Sequence, residues 1–119
     1  MAGKPAAAGV NIHFVKSSPA VRATYEAILR ASRALGSVKV EPKKTSIHLV
    51  RTSAFAGIAT RKDALILTVK SRAAIESTRV LRAEQASAHR WHIEFRLTSP
   101  GDVDHDVRTW LREAYELAA

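Results

Sequence analysis

The sequence predicts a two-layer α+β domain, in which an antiparallel sheet of about five strands carries an N-terminal and a C-terminal helix on one face. Two observations predict this fold class. Apolar residues recur at helical spacing near both ends of the chain, whereas they alternate with polar residues in the segments between. Because both helices are amphipathic, both need the apolar face of the sheet, and the opposite face is then left to solvent.

The first helix is predicted to begin after Ser18 and to stop before Gly36. Ser18 is a favourable N-cap, Pro19 suits the first helical position, and Gly36 accommodates a left-handed helix end. The apolar stripe consists of Val21, Tyr25, Ile28, Leu29 and Leu35. We expect residues 1–16 to be a flexible arm or an edge segment, and residues 17–119 to form a single domain.

Strand-like segments follow Gly36. A short "VKV" strand ends at Pro42, "TSIHLVR" and "AFAGIAT" come next, and the apolar "ALILTVK" is predicted to be central. "SRAAIEST" fits either a loop or a short helical turn, and "RVLR" is predicted as a brief edge strand. In "HRWHIEFRL" the buried side would be His89, Trp91, Ile93, Phe95 and Leu97, and the solvent side Arg90, His92, Glu94 and Arg96.

The last helix is predicted to start with Ser99 as its cap and Pro100 as its first residue. Asp102, three residues past the cap, resembles the acidic member of a capping box. The buried stripe would consist of Val103, Val107, Trp110, Leu111, Ala114 and Ala118.

Composition narrows the class of protein. The chain has 119 residues, no cysteine and a net charge of +8. The absence of cysteine excludes disulfides, thiolate catalysis and thiolate metal sites, and suits a cytoplasmic protein. The N-terminal residues lack a long apolar run, so we expect neither a signal peptide nor a membrane span.

The positive charge is concentrated in the strand region. The cations there lie at strand ends and turns or on the solvent face of the last strand, and we predict nucleic-acid phosphate contacts at Lys43, Lys44, Arg51, Arg61, Lys62, Arg90, His92 and Arg96. Because Trp91 and Phe95 fall on the core side, little reading of bases is expected. A solvated basic surface without a partner is an alternative. A further alternative is a protein-interaction module that docks an acidic partner or forms a homodimer through a strand edge.

Catalytic patterns are weak throughout the chain. His48, His92 and Glu94 share a predicted face, but their spacing is not typical of a metal site. In "EPK" Pro42 interrupts the strand that a restriction-type nuclease centre needs. Ser53 and Ser71 lack a nucleophile elbow, and the chain has no glycine-rich phosphate loop. We therefore predict a binding or accessory module with no catalytic residues and no cofactor or metal.

Two separated blocks of the sequence carry a resemblance to a known family. They are "EPKKTSIHLVRTSAFAGI" and "HRWHIEFRLTSPGDVDHDVRTWLREAYELA". Their matching features are, in order, Pro42-Lys43-Lys44, Arg51, Phe55-Ala56, Arg96-Leu97, Ser99, Val103-Asp104, Trp110-Leu111 and Ala114-Tyr115. From Pro19 onward the chain resembles the family catalogued as domain of unknown function 5655.

The resemblance implies a small stand-alone member of that family, without an activity or a set of catalytic residues to carry over. Similar modules occur alone, after a small helical module of unknown function, or at the end of larger predicted restriction-type proteins. That context implies an accessory role in nucleic-acid binding.

Overall fold

The structure is a computed structural model that describes residues 9–119. Its helices are α1 (Pro19–Arg33) and α2 (His105–Leu117), with the short 3-10 helices η1 (Ile12–Phe14) and η2 (Pro100–Asp102). Its strands are β1 (Lys39–Pro42), β2 (Ile47–Val50), β3 (Ala54–Thr60), β4 (Leu65–Ser71), β5 (Val80–Ser87) and β6 (Arg90–Leu97). None of the described helices has the length and apolar character needed to cross a membrane.

Within residues 9–119 the strands form one antiparallel sheet of six strands in the order β1-β2-β3-β4-β6-β5. The predicted α+β class is confirmed, with one strand more than the five expected. The underestimate concerns β5, which spans eight residues where the sequence predicts only "RVLR". All of its residues after Val80 are exposed, so the strand lacks the apolar alternation that marks a half-buried strand.

Both helices pack on the same face of the sheet, and the core lies between the two layers. Alternate residues of the central strands point into this core and are at most 1% exposed, namely Ile47, Leu49, Leu65, Leu67, Val69, Ile93, Phe95 and Leu97. The ring of Trp110 on α2 stacks on Phe95, with 4.4 Å between ring centroids. The predicted burial of Ile93, Phe95 and Leu97 is therefore correct, and Trp91 is partly buried against the core. His89, predicted on the same side, is exposed, because it lies in the β5–β6 turn before the first residue of β6.

The segment before α1 packs on the core where it is described. Residues 1–8 lie outside the described part of the chain, so the expectation of an arm is not addressed there. Residues 9–14 are helical rather than strand-like, and Val10 and Phe14 are buried in the core. The segment is also tied to the β3–β4 turn, because the Ser17 hydroxyl donates to the Arg61 carbonyl oxygen at 2.7 Å.

The helix boundaries follow the sequence signals closely at α1 and less closely at α2. Ser18 and Pro19 occupy the predicted cap and first positions of α1. The expectation that Ser99 caps the last α-helix is wrong, because Ser99 and Asp102 close a capping box around η2. Val103 then leaves helical geometry, and Asp104 is the N-cap of α2, with a carboxylate that accepts a hydrogen bond from the Val107 N–H at 3.1 Å.

Candidate ligand-binding face

The sheet face opposite α1 and α2, called the open face below, is covered by no described helix. The alternate residues of β2 to β6 that do not enter the core point toward it. A row of register partners crosses its centre and consists of Glu41, His48, Gly57, Thr68, Glu94 and Arg82. The open face thus carries polar and charged groups of both signs.

A trough of about 290 Å³ runs over β3 on the open face. Its floor consists of small residues, with Ala54, Gly57 and Ala59 in succession along the strand. A Cβ atom built on Gly57 would lie 3.9 Å from the His48 ring and 4.0 Å from Thr68 Cβ, its nearest described neighbours. The trough therefore exists because β3 presents almost no side chains on this side.

Basic side chains border the trough. His48 stands on the β2 side, and Lys70 and His92 stand on the β4–β6 side, where they are register partners. The Lys70 ammonium group donates a hydrogen bond to the Ser53 hydroxyl at 3.1 Å. Three strand spacings separate β2 from β6, and His92 lies two residues along from the row of His48, so the backbones of the two residues are about 16 Å apart.

Arg96 extends the positive charge along the sheet. It is exposed and lies beside Ile66, four residues along β4 from Lys70. At the rise of an antiparallel strand, this separation is about 14 Å. Lys70 and Arg96 consequently lie on opposite sides of the central row and bracket the Gly57 position along the strand direction.

Carboxylates interrupt this positive surface but have cations close by. Glu94 lies between Lys70 and Arg96, and its register partner on β5 is Arg82. Glu41 lies 3.6 Å from the Lys39 ammonium and 3.3 Å from that of Lys43. The hydrogen bond from Lys43 is the main reason why the pKa of Glu41 is lowered. The positive charge of Lys43 is therefore partly neutralised by the Glu41 carboxylate.

The predicted site residues lie in three places: on or beside the open face, in two turns of the sheet, and, for Arg51, on the helix side. His92 and Arg96 lie on the open face, and Arg90 lies at the start of β6 at the Lys70 end of the sheet. Lys43, Lys44, Arg61 and Lys62 lie in the β1–β2 and β3–β4 turns at the opposite end of the sheet. Arg61 and Lys62 lie there beside the segment before α1.

Arg51 stands apart from the other predicted residues. Its guanidinium group lies 4.3 Å from the ring centroid of Tyr115 and donates to the Tyr115 carbonyl oxygen at 3.1 Å. It therefore joins the β2–β3 turn to α2 on the helix side of the sheet.

Lys70, Arg82 and the floor of the trough are not among the residues predicted from the sequence. Lys70 was detectable, because it follows Ile66 and Thr68 at alternate positions of an otherwise apolar strand. Arg82 was not, since β5 lacks an apolar alternation. The trough forms because the small residues of β3 lie between larger side chains of β2, β4 and β6. Only the pairing of these strands brings those residues together.

The residues of the open face differ in what they offer to a ligand. The described residues include no group of three or more histidines and carboxylates placed to hold a metal ion. His48 and His92 are not joined by a described hydrogen bond, so they do not form an acid–base pair in direct contact. A shallow, mostly apolar floor bordered by two imidazoles and the Lys70 ammonium suits a ligand with a flat apolar part and a negative charge.

Comparison with known proteins gives one match. The family model described as "Domain of unknown function (DUF5655)" matches residues 10–118. No curated protein and no solved structure matches the chain significantly. The matched range includes both blocks on which the sequence resemblance rests, and it includes η1 and Val10, which the resemblance did not cover.

Proposed function

The chain belongs to the family described as domain of unknown function DUF5655, and we propose that this member is a binding module that holds single-stranded nucleic acid on its open face. The observation that carries the proposal is the trough over β3, with its small-residue floor and its border of His48, Lys70 and His92. A nucleobase is flat and apolar on its faces, and a phosphate is anionic, so one nucleotide presents both features that the trough fits.

Base contact in this proposal comes from the imidazoles and the β3 floor. Trp91 and Phe95 lie on the helix side of the sheet, as the sequence predicts, and are not available to a ligand on the open face. Histidine rings also stack on bases, and stacking tolerates any sequence because every base has a π-face. The proposed contact is therefore expected to show little sequence preference.

Phosphate contact comes from the cations that bracket the trough. Lys70 and Arg96 lie on either side of the central row. The exposed Lys43, Lys44, Arg61 and Lys62 add positive charge in the turns at the Arg96 end of the sheet. Phosphate contacts release counterions, so binding should weaken steeply as salt rises. An acidic protein partner would use the same cations, but it would not require the flat floor.

The first test reverses charge at the trough and compares it with the same reversal elsewhere. The Lys70→Glu, Arg96→Glu double variant should bind a fluorescent single-stranded oligonucleotide at least about tenfold more weakly at low salt, with a salt dependence shallower by about two charges. Fluorescence anisotropy measures both quantities.

The matched control is the Arg30→Glu, Arg112→Glu double variant, which has the same net charge but changes exposed residues of α1 and α2. It should retain most of the wild-type affinity. Equal losses in both variants would show that net charge attracts the oligonucleotide without an open-face site. No binding by the wild-type protein at low salt would overturn the proposal.

The second test fills the trough without removing a charge. A Cβ atom at Gly57 meets its neighbours at ordinary van der Waals distances, and valine is favourable in a strand. We therefore expect Gly57→Val to raise the free energy of unfolding by about 0.5–1 kcal/mol. The same substitution should weaken single-stranded binding several-fold because it occupies the place of a base. Urea unfolding and anisotropy on the same samples separate the two effects.

The response of a duplex oligonucleotide identifies the mode of contact. A duplex offers phosphates but no free base faces, so we expect the wild-type protein to bind a duplex more weakly than a single strand. The affinity for the duplex should be the same in Gly57→Val as in the wild type. If single-stranded binding is also unchanged in Gly57→Val, the trough holds no base. A loss of binding to an acidic peptide in Lys70→Glu, Arg96→Glu but not in Gly57→Val would favour the protein partner.

A further inference from the structure

Strand β5 forms an outer edge of the sheet that no described strand covers. It is eight residues long, and every residue after Val80 is exposed. Leu81 is 56% exposed, one of the largest values for an apolar side chain in the described residues. An uncovered edge strand presents unpaired backbone N–H and C=O groups, which are ready to pair with another strand.

We propose that two copies of this chain associate by antiparallel pairing of their β5 strands about a two-fold axis at Ala83. Residues whose numbers sum to 166 are then directly opposite each other. Arg82 of each copy faces Glu84 of the other, and Ala83 faces its own equivalent on the axis. The sequence around the axis, Arg82-Ala83-Glu84, is thus complementary in charge to itself, and it would form two cross-strand ion pairs.

The charges also select this register over its neighbours. If one strand shifts by two residues in one direction, Arg82 lies opposite Arg82 of the other copy. If it shifts by two in the other direction, Glu84 lies opposite Glu84. Like charges that lie directly opposite each other are destabilising. The β5–β6 ladder is irregular at Val80–Arg82 and at Gln85–Ser87, whereas residues 82–85 pair regularly with β6. The proposed axis falls inside the regular part.

The charged groups at this edge are free to take a second partner. Within one chain the Arg82 guanidinium lies 3.4 Å from the Glu84 carboxylate, and their side chains are 64% and 61% exposed. An exposed pair of this kind contributes little to folding, so exchanging its partners costs little. Pairing across the edge joins two such ion pairs, one from each copy, into a closed group of four alternating charges.

The opposite edge of the sheet is less suited to the same role. Strand β1 has four residues and ends in Pro42, which lacks a backbone N–H and so cannot extend a ladder. Short length and proline are common protections of an edge strand. The structure therefore assigns self-association to β5 rather than to β1, and this inference does not depend on nucleic-acid binding.

The test uses charge reversal and re-mixing, with mass measured by sedimentation equilibrium over a range of concentrations. Wild type should show a monomer–dimer equilibrium. Arg82→Glu alone and Glu84→Arg alone should each raise the dimer dissociation constant at least tenfold, because each makes the edge repel its own copy. A one-to-one mixture of these two variants should regain the dimer mass, since every reversed residue then faces its opposite charge.

Two controls distinguish the edge from net charge and from folding. The swapped variant Arg82→Glu, Glu84→Arg should dimerise as wild type does, because its edge is again self-complementary. Arg112→Glu matches the charge change of Arg82→Glu on an exposed residue of α2 and should leave the equilibrium unchanged. Unfolding midpoints should agree among all variants at a concentration where the wild type is monomeric.

The inference is overturned by any of three results. The wild type remains a monomer up to millimolar concentration, the single reversals leave the dimer intact, or the mixture of the two reversals fails to restore it. The last two results would place any dimer interface elsewhere on the molecule.

Discussion

Gly36 and Tyr115 show how one residue position can depend on a residue far away in sequence. Gly36 has a backbone φ of 152°, which residues with a side chain rarely adopt. A Cβ atom at this position would also lie 2.5 Å from the Tyr115 hydroxyl oxygen. That hydroxyl donates to the Ser37 carbonyl oxygen at 2.9 Å, which ties the α1–β1 connection to α2. Glycine at position 36 is therefore needed for backbone geometry and for space.

We expect Gly36→Ala to lower the free energy of unfolding by about 2 kcal/mol, through backbone strain and the clash with Tyr115. Tyr115→Phe should cost about 1 kcal/mol, because the hydrogen bond is lost. The double variant should cost less than the sum, since Tyr115→Phe removes the atom that the new Cβ meets. Urea denaturation measures all three values, and Gly101→Ala, which has room for its Cβ, should be neutral. Strict additivity would contradict the assigned clash.

At the scale of elements, the junction between β6, η2 and α2 is held by two carboxylates. Asp102 accepts hydrogen bonds from the backbone N–H groups of Thr98 and Ser99, at 2.8 and 3.2 Å. The Arg79 side chain donates to both carboxylate oxygens of Asp104, at 2.8 and 2.9 Å. These contacts join the 72–79 loop, the end of β6 and the start of α2.

This junction gives folding stability a dependence on acid pH. The hydrogen bond from the Thr98 N–H is the main cause of a lowered pKa at Asp102, and the bond from the Val107 N–H is the main cause at Asp104. Because each pKa is lower in the folded state, the stabilising contribution is fully present above the unfolded value of about 3.9 and is lost as pH falls through the folded value.

We expect the urea midpoint of the wild type to fall between pH 6 and pH 3 by more than that of Asp102→Asn, whose side chain does not titrate. At pH 6 the variant should be less stable by about 1 kcal/mol, because an amide accepts these hydrogen bonds less strongly than a carboxylate. Parallel pH profiles for the two proteins would show that Asp102 does not stabilise the folded state through its charge.

At the scale of the molecule, the described chain has one core, to which the segment before α1 belongs. Phe14 is 9% exposed, its ring lies 5.2 Å from that of Tyr25, and the Arg22 guanidinium lies 4.9 Å from its centroid. The family match begins at residue 10, so the matched range includes this segment. Residues 10–14 thus contribute to the same packed unit as the sheet and both helices.

We expect Phe14→Ala to lower the free energy of unfolding by about 3 kcal/mol, the lower end of the range for a buried phenylalanine, while unfolding remains one transition. Val15→Ala is the matched control, because the neighbouring Val15 is 73% exposed and should change stability little. Circular dichroism and tryptophan fluorescence, followed together in urea, measure both points. A Phe14→Ala protein as stable as the wild type would show that this segment is not part of the cooperative unit.

The sequence by itself determined where α1 begins, through Ser18 and Pro19, and how the residues of β6 alternate from Arg90 to Leu97. It also determined that one face of the sheet stays outside the core. These are properties of neighbouring residues, because side-chain direction along a helix or strand repeats every few positions. The basic character of the strand region is likewise read directly from the residues.

Only the tertiary structure decided which outward residues meet. The insertion of β6 between β4 and β5 places His92 beside Lys70, and the pairing of β2, β3 and β4 turns Gly57 into the floor of a trough. Packing of α2 draws Arg51 to the helix side and away from the other cations. Strand order and helix docking are set by contacts between residues distant in sequence, which a local pattern does not encode.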